Sequence, residues 1–338
     1  MRRSVRLGFG AVLLVLAAGC QRDTDGVPGP TSPFPLQVPP GHPVPPMNEE
    51  VPLTTESVQL GKALFFEPGL SRGGEVSCGS CHFPARAFSD TVAISLGVQG
   101  RPGLRNSPTL ANVAHHPAFF KDGGVPTLEM QVLAPIHDPV EMDFDIHEAA
   151  LLLKDEEPYR SLSRKAFGRD LDAGVITRAI ANYERTLLSG WSRYDRFLQG
   201  DVHALSQAEQ RGLQVFNGPE ANCSACHNGF DLSDRSYRNI GLYAVYEDEG
   251  RGRITLDPAD DGKFMVPTLR NIALTAPYMH DGSMTTLDEV IDHFMSGGVG
   301  HPNQSPAVRP FTLSSQERSD LLEFLGSLTD ERPIDQVP

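Results

Sequence analysis

The chain has 338 residues, enough for two domains of moderate size and too many for a single small one. A hydrophobic content of 39% supports packed cores and excludes bulk disorder. With 29 Lys and Arg against 43 Asp and Glu, the net charge of −14 argues against nucleic acid or an anionic membrane surface as a partner. A basic protein partner would suit the acid surplus, although a solvated acidic face explains it as well.

In chain order, Arg2, Arg3 and Arg6 form a basic n-region, and Gly8–Leu16 is an apolar h-region too short to span a bilayer as a stable helix. Leu16-Ala17-Ala18-Gly19-Cys20 resembles a bacterial lipobox. Residues 1–19 therefore read as a lipoprotein signal peptide cut before a lipid-anchored Cys20; a plain secretory signal with an incidental cysteine is the alternative. Residues 20–52 read as a tether, because ten of the 28 prolines fall between Pro28 and Pro52 with almost no periodic apolar pattern. A lipid followed by such a semi-stiff spacer would hold a globular head off the periplasmic side of a bacterial membrane.

From Thr54 onward the chain is written twice. LGKALFF followed by CGSCHFPARAFSD (Leu60–Asp90) returns as RGLQVF followed by CSACHNGFDLSD (Arg211–Asp234). PTLANVAHHPAFFKDGGVPTLE (Pro108–Glu129) returns as PTLRNIALTAPYMHDGSMTTLD (Pro267–Asp288) without a gap. Two blocks repeated in the same order indicate duplication of one structural unit. Local signals are helical: capping boxes at Ser206…Glu209, Thr286…Glu289 and Ser314…Glu317, and apolar spacings of three and four through Val175, Ile176, Ala179, Ile180, Tyr183 and Leu187 and through Leu321, Leu322, Phe324, Leu325 and Leu328. No alternating strand run of useful length occurs. The expectation is an all-α chain of two domains, 53–200 and 201–338, with 172–200 as a long helix and connection between them.

Cys78-Gly-Ser-Cys81-His82 and Cys223-Ser-Ala-Cys226-His227 are both CxxCH. On a helical turn the two thiols reach the two vinyl groups of one haem, and the next residue places an imidazole under its iron. Four of the five cysteines are used this way and the fifth is Cys20. A zinc site would want its CxxC pairs close together, but Cys78 and Cys223 lie 145 residues apart. A thioredoxin-type redox motif would follow a strand in a βαβ unit, which is absent here. Two covalently bound haem c groups are the expectation.

The two CxxCH motifs, PTLxN…DGG…LExQxxAPI…PxEM in the first half and VPTLRNIALTAPYMHDG in the second together resemble the bacterial di-haem cytochrome c peroxidase and MauG family, from about Leu60 to Leu328. The resemblance implies two cytochrome c-like domains with a Ca2+ ion between them. The N-terminal haem would react with hydrogen peroxide while the C-terminal haem relays electrons from a small periplasmic cytochrome c or cupredoxin. It makes His82 and His227 the proximal ligands and places Gln131 and Glu141 over the peroxide-reacting haem, where an amide and a carboxylate can polarise the O–O bond and move its proton. Pro135 would line that pocket. Asn106, Thr275 and Pro277 would supply a side-chain oxygen and two carbonyls to calcium.

Three positions depart from the family pattern. The loop Phe83–Asn106 holds no histidine where many members carry a distal one, so the first haem should be open without prior reduction. His115 and His116 are the nearest alternatives and read as packing or surface residues. Lys121 occupies the slot of an inter-haem tryptophan, with His280 at the equivalent place in the repeat. Lysine cannot carry a hole, and Phe119, Phe120 and Trp191 read first as core. Phe294 falls where the second haem's axial methionine or tyrosine is expected, within Asp292–Gly298 (DHFMSGG). Met295 is the leading substitute, an unligated iron comes next, and His293, Met279 and Met265 are further candidates. The functional expectation is a peroxidase. The alternatives are MauG-like oxidation of residues in a partner protein, or a tethered electron-transfer cytochrome with no catalysis.

Overall fold

The computed structural model describes residues 31–337, so the leader and Cys20 lie outside the described residues. The architecture is mostly helical. The first half carries α1 (Thr55–Phe65), α2 (Leu128–His137), α3 (Ile146–Leu153), α4 (Tyr159–Phe167) and α5 (Ala173–Glu184). The second carries α6 (Arg193–Leu198), α7 (Gln207–Asn217), α8 (Gly252–Thr255), α9 (Leu287–Ser296) and α10 (Ser315–Gly326). Two-residue strands β1 (Tyr237–Arg238) and β2 (Phe264–Met265) pair antiparallel, with Tyr237 opposite Met265.

Side-chain caps start the helices where the sequence places them. Ser206, Thr286 and Ser314 each close a box with the glutamate three residues on, which satisfies first-turn N–H groups that have no helical partner. Each half is built on one close helix crossing. Gly61 of α1 sits against Ala179 and Tyr183 of α5, and Gly212 of α7 sits against Asp320 and Phe324 of α10; a Cβ at either glycine would collide with the backbone carbonyl of Ala179 or Asp320. The first core gathers Leu60, Leu64, Phe65, Phe88, Ile176, Ile180 and Tyr183, and the second Phe216, Leu232, Ile291, Leu321, Phe324 and Leu328.

The stretch 172–200, expected as a long helix and connection, runs as α5 to Glu184 and then as a connection in which Asp330 Oδ1 takes the Gly190 and Trp191 N–H groups before Ser192 caps α6. The chain departs from the sequence expectation in two stretches. Residues 31–52, expected as part of a free tether, lie as a strap across both halves. Phe34 N–H donates to Leu53 O at 3.0 Å, Arg185 donates to Pro46 O at 3.1 Å, and His42 faces the Arg270–Asp195 pair. Proline-rich chain cannot build a core, but its stiffness makes it cheap to lay on one. The C-terminal tail, assigned to the second domain, returns to the first: Ile334 and Val337 join the first core, and Asp335 pairs with Lys62 at 3.1 Å.

Candidate haem and peroxide sites

Each CxxCH stretch forms a tight 3-10 turn. His82 N–H donates to Cys78 O at 3.0 Å, and His227 N–H donates to Cys223 O at the same distance. The imidazoles are then fixed from outside the motif. His82 Nδ1 lies 2.7 Å from Phe88 O and His227 Nδ1 lies 3.1 Å from Leu232 O. A carbonyl can only accept, so each Nδ1 carries the hydrogen and each Nε2 keeps its lone pair. Burial depresses both imidazoles, which keeps them neutral despite the favourable bond to the carbonyl. Phe88 and Leu232 reach these positions through left-handed backbone, at φ 60° and 51°. Thr109 and Thr268 hydroxyls brace the two turns by donating to Ala87 O and Asp231 O.

The four cysteines of these turns are free and partly buried. Desolvation pushes their thiols up, Cys81 and Cys223 to about 11 and Cys78 and Cys226 in the same direction. Reactive redox cysteines and zinc thiolates need the opposite environment. Paired protonated thiols beside a histidine with a pre-oriented, neutral Nε2 instead fit thioether attachment of haem c and ligation of its iron.

Gln131 and Pro135 lie one turn apart on α2, both half-buried. Pro135 has no N–H for the Gln131 carbonyl, and its own carbonyl accepts from Met142 N–H at 3.1 Å, which turns the chain back on the helix. Glu141 sits in that turn. Its N–H donates to Asp138 O at 3.0 Å, and its carbonyl accepts from Val98 N–H at 2.8 Å. Gly97 packs against the 140–141 backbone where any Cβ would clash. Much of the Glu141 side chain is exposed, yet the protein around its carboxyl, aided by the charge of Asp138, pushes it up to about 7. It is close enough to raise both Cys78 and Cys81. The roles of Asp138 and Gly97 carry no sequence signal; both follow from the turn's path in space.

The remaining expected residues separate by environment. His115 meets Phe230 edge-on at 4.9 Å across the seam between the halves, and burial lowers it to about 4; His116 stacks on Phe119 at 6.3 Å. Lys121 is half-buried, is lowered to about 8 by burial and by Arg105, and donates to Met279 O at 3.3 Å. His293 Nε2 lies 3.1 Å from Ile240 O, so that nitrogen is the donor and is not free for a metal. Met295 is partly buried and packs against the second core. Asn106 is buried and spends its amide nitrogen on Val92 O and Ala93 O, which leaves its amide oxygen as the donor a cation needs. The Asn106 N–H also donates to His280 O across the seam. Against a cation, Arg86 reaches Ala276 O, between Thr275 and Pro277, at 3.0 Å.

Residues 55–203 match the family described as di-haem cytochrome c peroxidase, and residues 210–329 match cytochrome c. The methylamine utilization protein MauG of Methylorubrum extorquens is 39% identical over 291 residues, covering 85% of this chain and 82% of the relative. The cytochrome c551 peroxidase of Nitrosomonas europaea is 35% identical over 301 residues, covering 88% and 86%. The crystal structure of a MauG-like protein associated with microbial copper homeostasis superposes with a TM-score of 0.85 at 36% identity, covering 89% of this chain and 97% of that one.

Proposed function

The chain belongs to the bacterial di-haem cytochrome c peroxidase and MauG family, and on that premise we propose a division of labour between its halves. Hydrogen peroxide is reduced in the first, beside Gln131 and Glu141, and electrons enter through the second. Membership makes the protein a haem-dependent peroxidase. The division of roles is supported above all by Glu141, a carboxyl held near neutrality close to Cys78 and Cys81.

Cys78, Cys81 and His82 would hold one haem c, and Cys223, Cys226 and His227 the other; when bound, the iron supplies the electrons that break the O–O bond. The protein's own part is proton traffic. Glu141, ionised above about pH 7, would accept a proton of the peroxide and return it to the oxygen that leaves as water. Gln131 holds the peroxide by hydrogen bonding and Pro135 closes the wall beside it. The histidine-free stretch Phe83–Asn106 supports an open site that needs no prior reduction.

Four finer assignments complete the reading. The halves descend from one duplicated cytochrome c-like unit, supported by the matched glycine crossings and histidine turns; three-dimensional superposition of the two halves that fails to align those turns would refute it. Met295 ligates the second iron. A Ca2+ ion binds Asn106 Oδ1 and the carbonyls of Thr275 and Pro277. The chain is anchored through lipidated Cys20 on the periplasmic side of the membrane. Steady-state peroxide consumption with a reduced small cytochrome or cupredoxin tests the function. Turnover is expected with such donors; no peroxide consumption with any donor would overturn the peroxidase, whereas slow turnover with oxidation of a co-purifying protein would favour MauG-like chemistry.

A further inference from the structure

A run of aromatic rings on the second half has no part in the peroxide site. Ring centroids lie 5.6 Å apart between Tyr243 and Tyr246, 5.9 Å between Tyr246 and His280, and 4.1 Å in the stacked His280–Phe264 pair. The inner end lies at the seam between the halves. Met265, next to Phe264, donates its N–H to Lys121 O at 2.7 Å, and the guanidinium of Arg105 lies 5.4 Å over the Phe264 ring. The outer end is at solvent, with Tyr243 37% exposed beside the exposed Val245.

The two tyrosines differ in what their hydroxyls meet. Tyr246 accepts the Leu242 N–H at 2.9 Å and donates to the side-chain oxygen of Asn239 at 3.3 Å, an amide that does not take up a proton at neutral pH. Tyr243 donates to Asp281 Oδ2 at 2.5 Å. Burial raises the Asp281 carboxyl, but hydrogen bonds from Tyr243 and Ser283 outweigh it and keep the group ionised. A phenol gives up an electron readily only when its proton leaves as well, because the cation formed otherwise is a very strong acid. Tyr243 has an ionised acceptor for that proton, and Tyr246 has none.

We propose that Tyr243 is a surface one-electron oxidation site of this enzyme, connected to the seam through Tyr246, His280 and Phe264. The inference rests on the peroxidase reading. Tyr243 yields one electron inward to the peroxide-oxidised protein, its hydroxyl proton passes to Asp281 Oδ2, and a neutral tyrosyl radical remains. An external one-electron donor then reduces the radical as Asp281 returns the proton. Two such cycles supply the two electrons that, with two protons from solvent, convert one H2O2 to two waters. Lys121 has no oxidisable ring, so the aromatic run beside it is the conducting element on this side of the seam.

The test is freeze-quench EPR of the full-length holo protein mixed with stoichiometric peroxide, with haem absorption recorded on the same samples. The expected result is an organic radical with tyrosyl proton hyperfine structure that narrows on ring-deuterated tyrosine. Tyr243→Phe should lose it, and Asp281→Asn should reduce its yield while the haem bands of both variants match wild type before mixing. A tyrosyl signal of unchanged shape and yield in Tyr243→Phe overturns the proposal. So does a wild-type protein whose haem bands respond fully to peroxide without any tyrosyl radical. Haem bands that ignore peroxide overturn the peroxidase reading, and this inference with it.

Discussion

At Glu141 the protein packed around the carboxyl and the charge of Asp138 act in the same direction, bringing an otherwise exposed side chain's carboxyl to about 7, above the ordinary glutamate range. The sign follows from the role proposed for it as acceptor: if the ionised form is the active one, the rate of reaction with peroxide should climb as pH rises through about 7 and level off above it. Glu141→Gln should slow that reaction by roughly 10²–10⁴-fold, the usual worth of a positioned acid–base group, and flatten the pH limb. Stopped-flow mixing of oxidised protein with peroxide across pH reads both; an unchanged limb in the variant would assign the titration to another group. In the second half, Met295→Leu should shift the haem absorption bands if its sulfur ligates iron. An unmoved spectrum would leave Met295 as a packing residue of the second core. CxxCH is legible in the sequence because the thioether attachment of haem expected of such a motif fixes both residue type and spacing. The Phe88 and Leu232 carbonyls that orient the histidines were not, because any residue supplies a carbonyl and only the left-handed turn aims it.

Among the helices, the two glycine crossings carry the packing of each half. Gly212→Ala places a methyl against the Asp320 carbonyl and should cost about 1–3 kcal/mol or more, read as a lower denaturation midpoint of the second half. A midpoint equal to wild type would mean that α7 and α10 can separate freely. Caps at Ser206, Thr286 and Ser314 were readable because a capping box is a local arrangement with a fixed spacing. The docking of the strap is invisible in the sequence for a physical reason. Its composition correctly says that residues 31–52 cannot fold alone, and says nothing about His42 packing beside a fully buried Arg270 whose guanidinium bonds Asp195 through two nitrogens at 2.9 Å each. Long-range pairing of this kind leaves no periodic trace. The return of Ile334 and Val337 to the first core is hidden for the same reason.

Across the whole molecule, strap, seam and tail bind the halves into one body, so signals at either site are expected to respond to the integrity of the other. Calcium at Asn106, Thr275 and Pro277 would reinforce that seam: chelation should lower the unfolding midpoint and added Ca2+ restore it, by about 2.7 kcal/mol at a hundredfold excess over Kd. Insensitivity to both would mean that no calcium bridges the seam. Cys20→Ser should move the protein from the membrane to the soluble fraction, and an unchanged distribution would argue for a plain secretory signal. On the proposed function, the peroxide site of the first half is open, guarded by Glu141 rather than closed by a histidine. Low-temperature EPR of the fully oxidised holo protein reads this openness. An open site gives a high-spin ferric signal that Glu141→Gln perturbs and that peroxide consumes without prior reduction. Two low-spin signals, one of them with bis-histidine character, would contradict it.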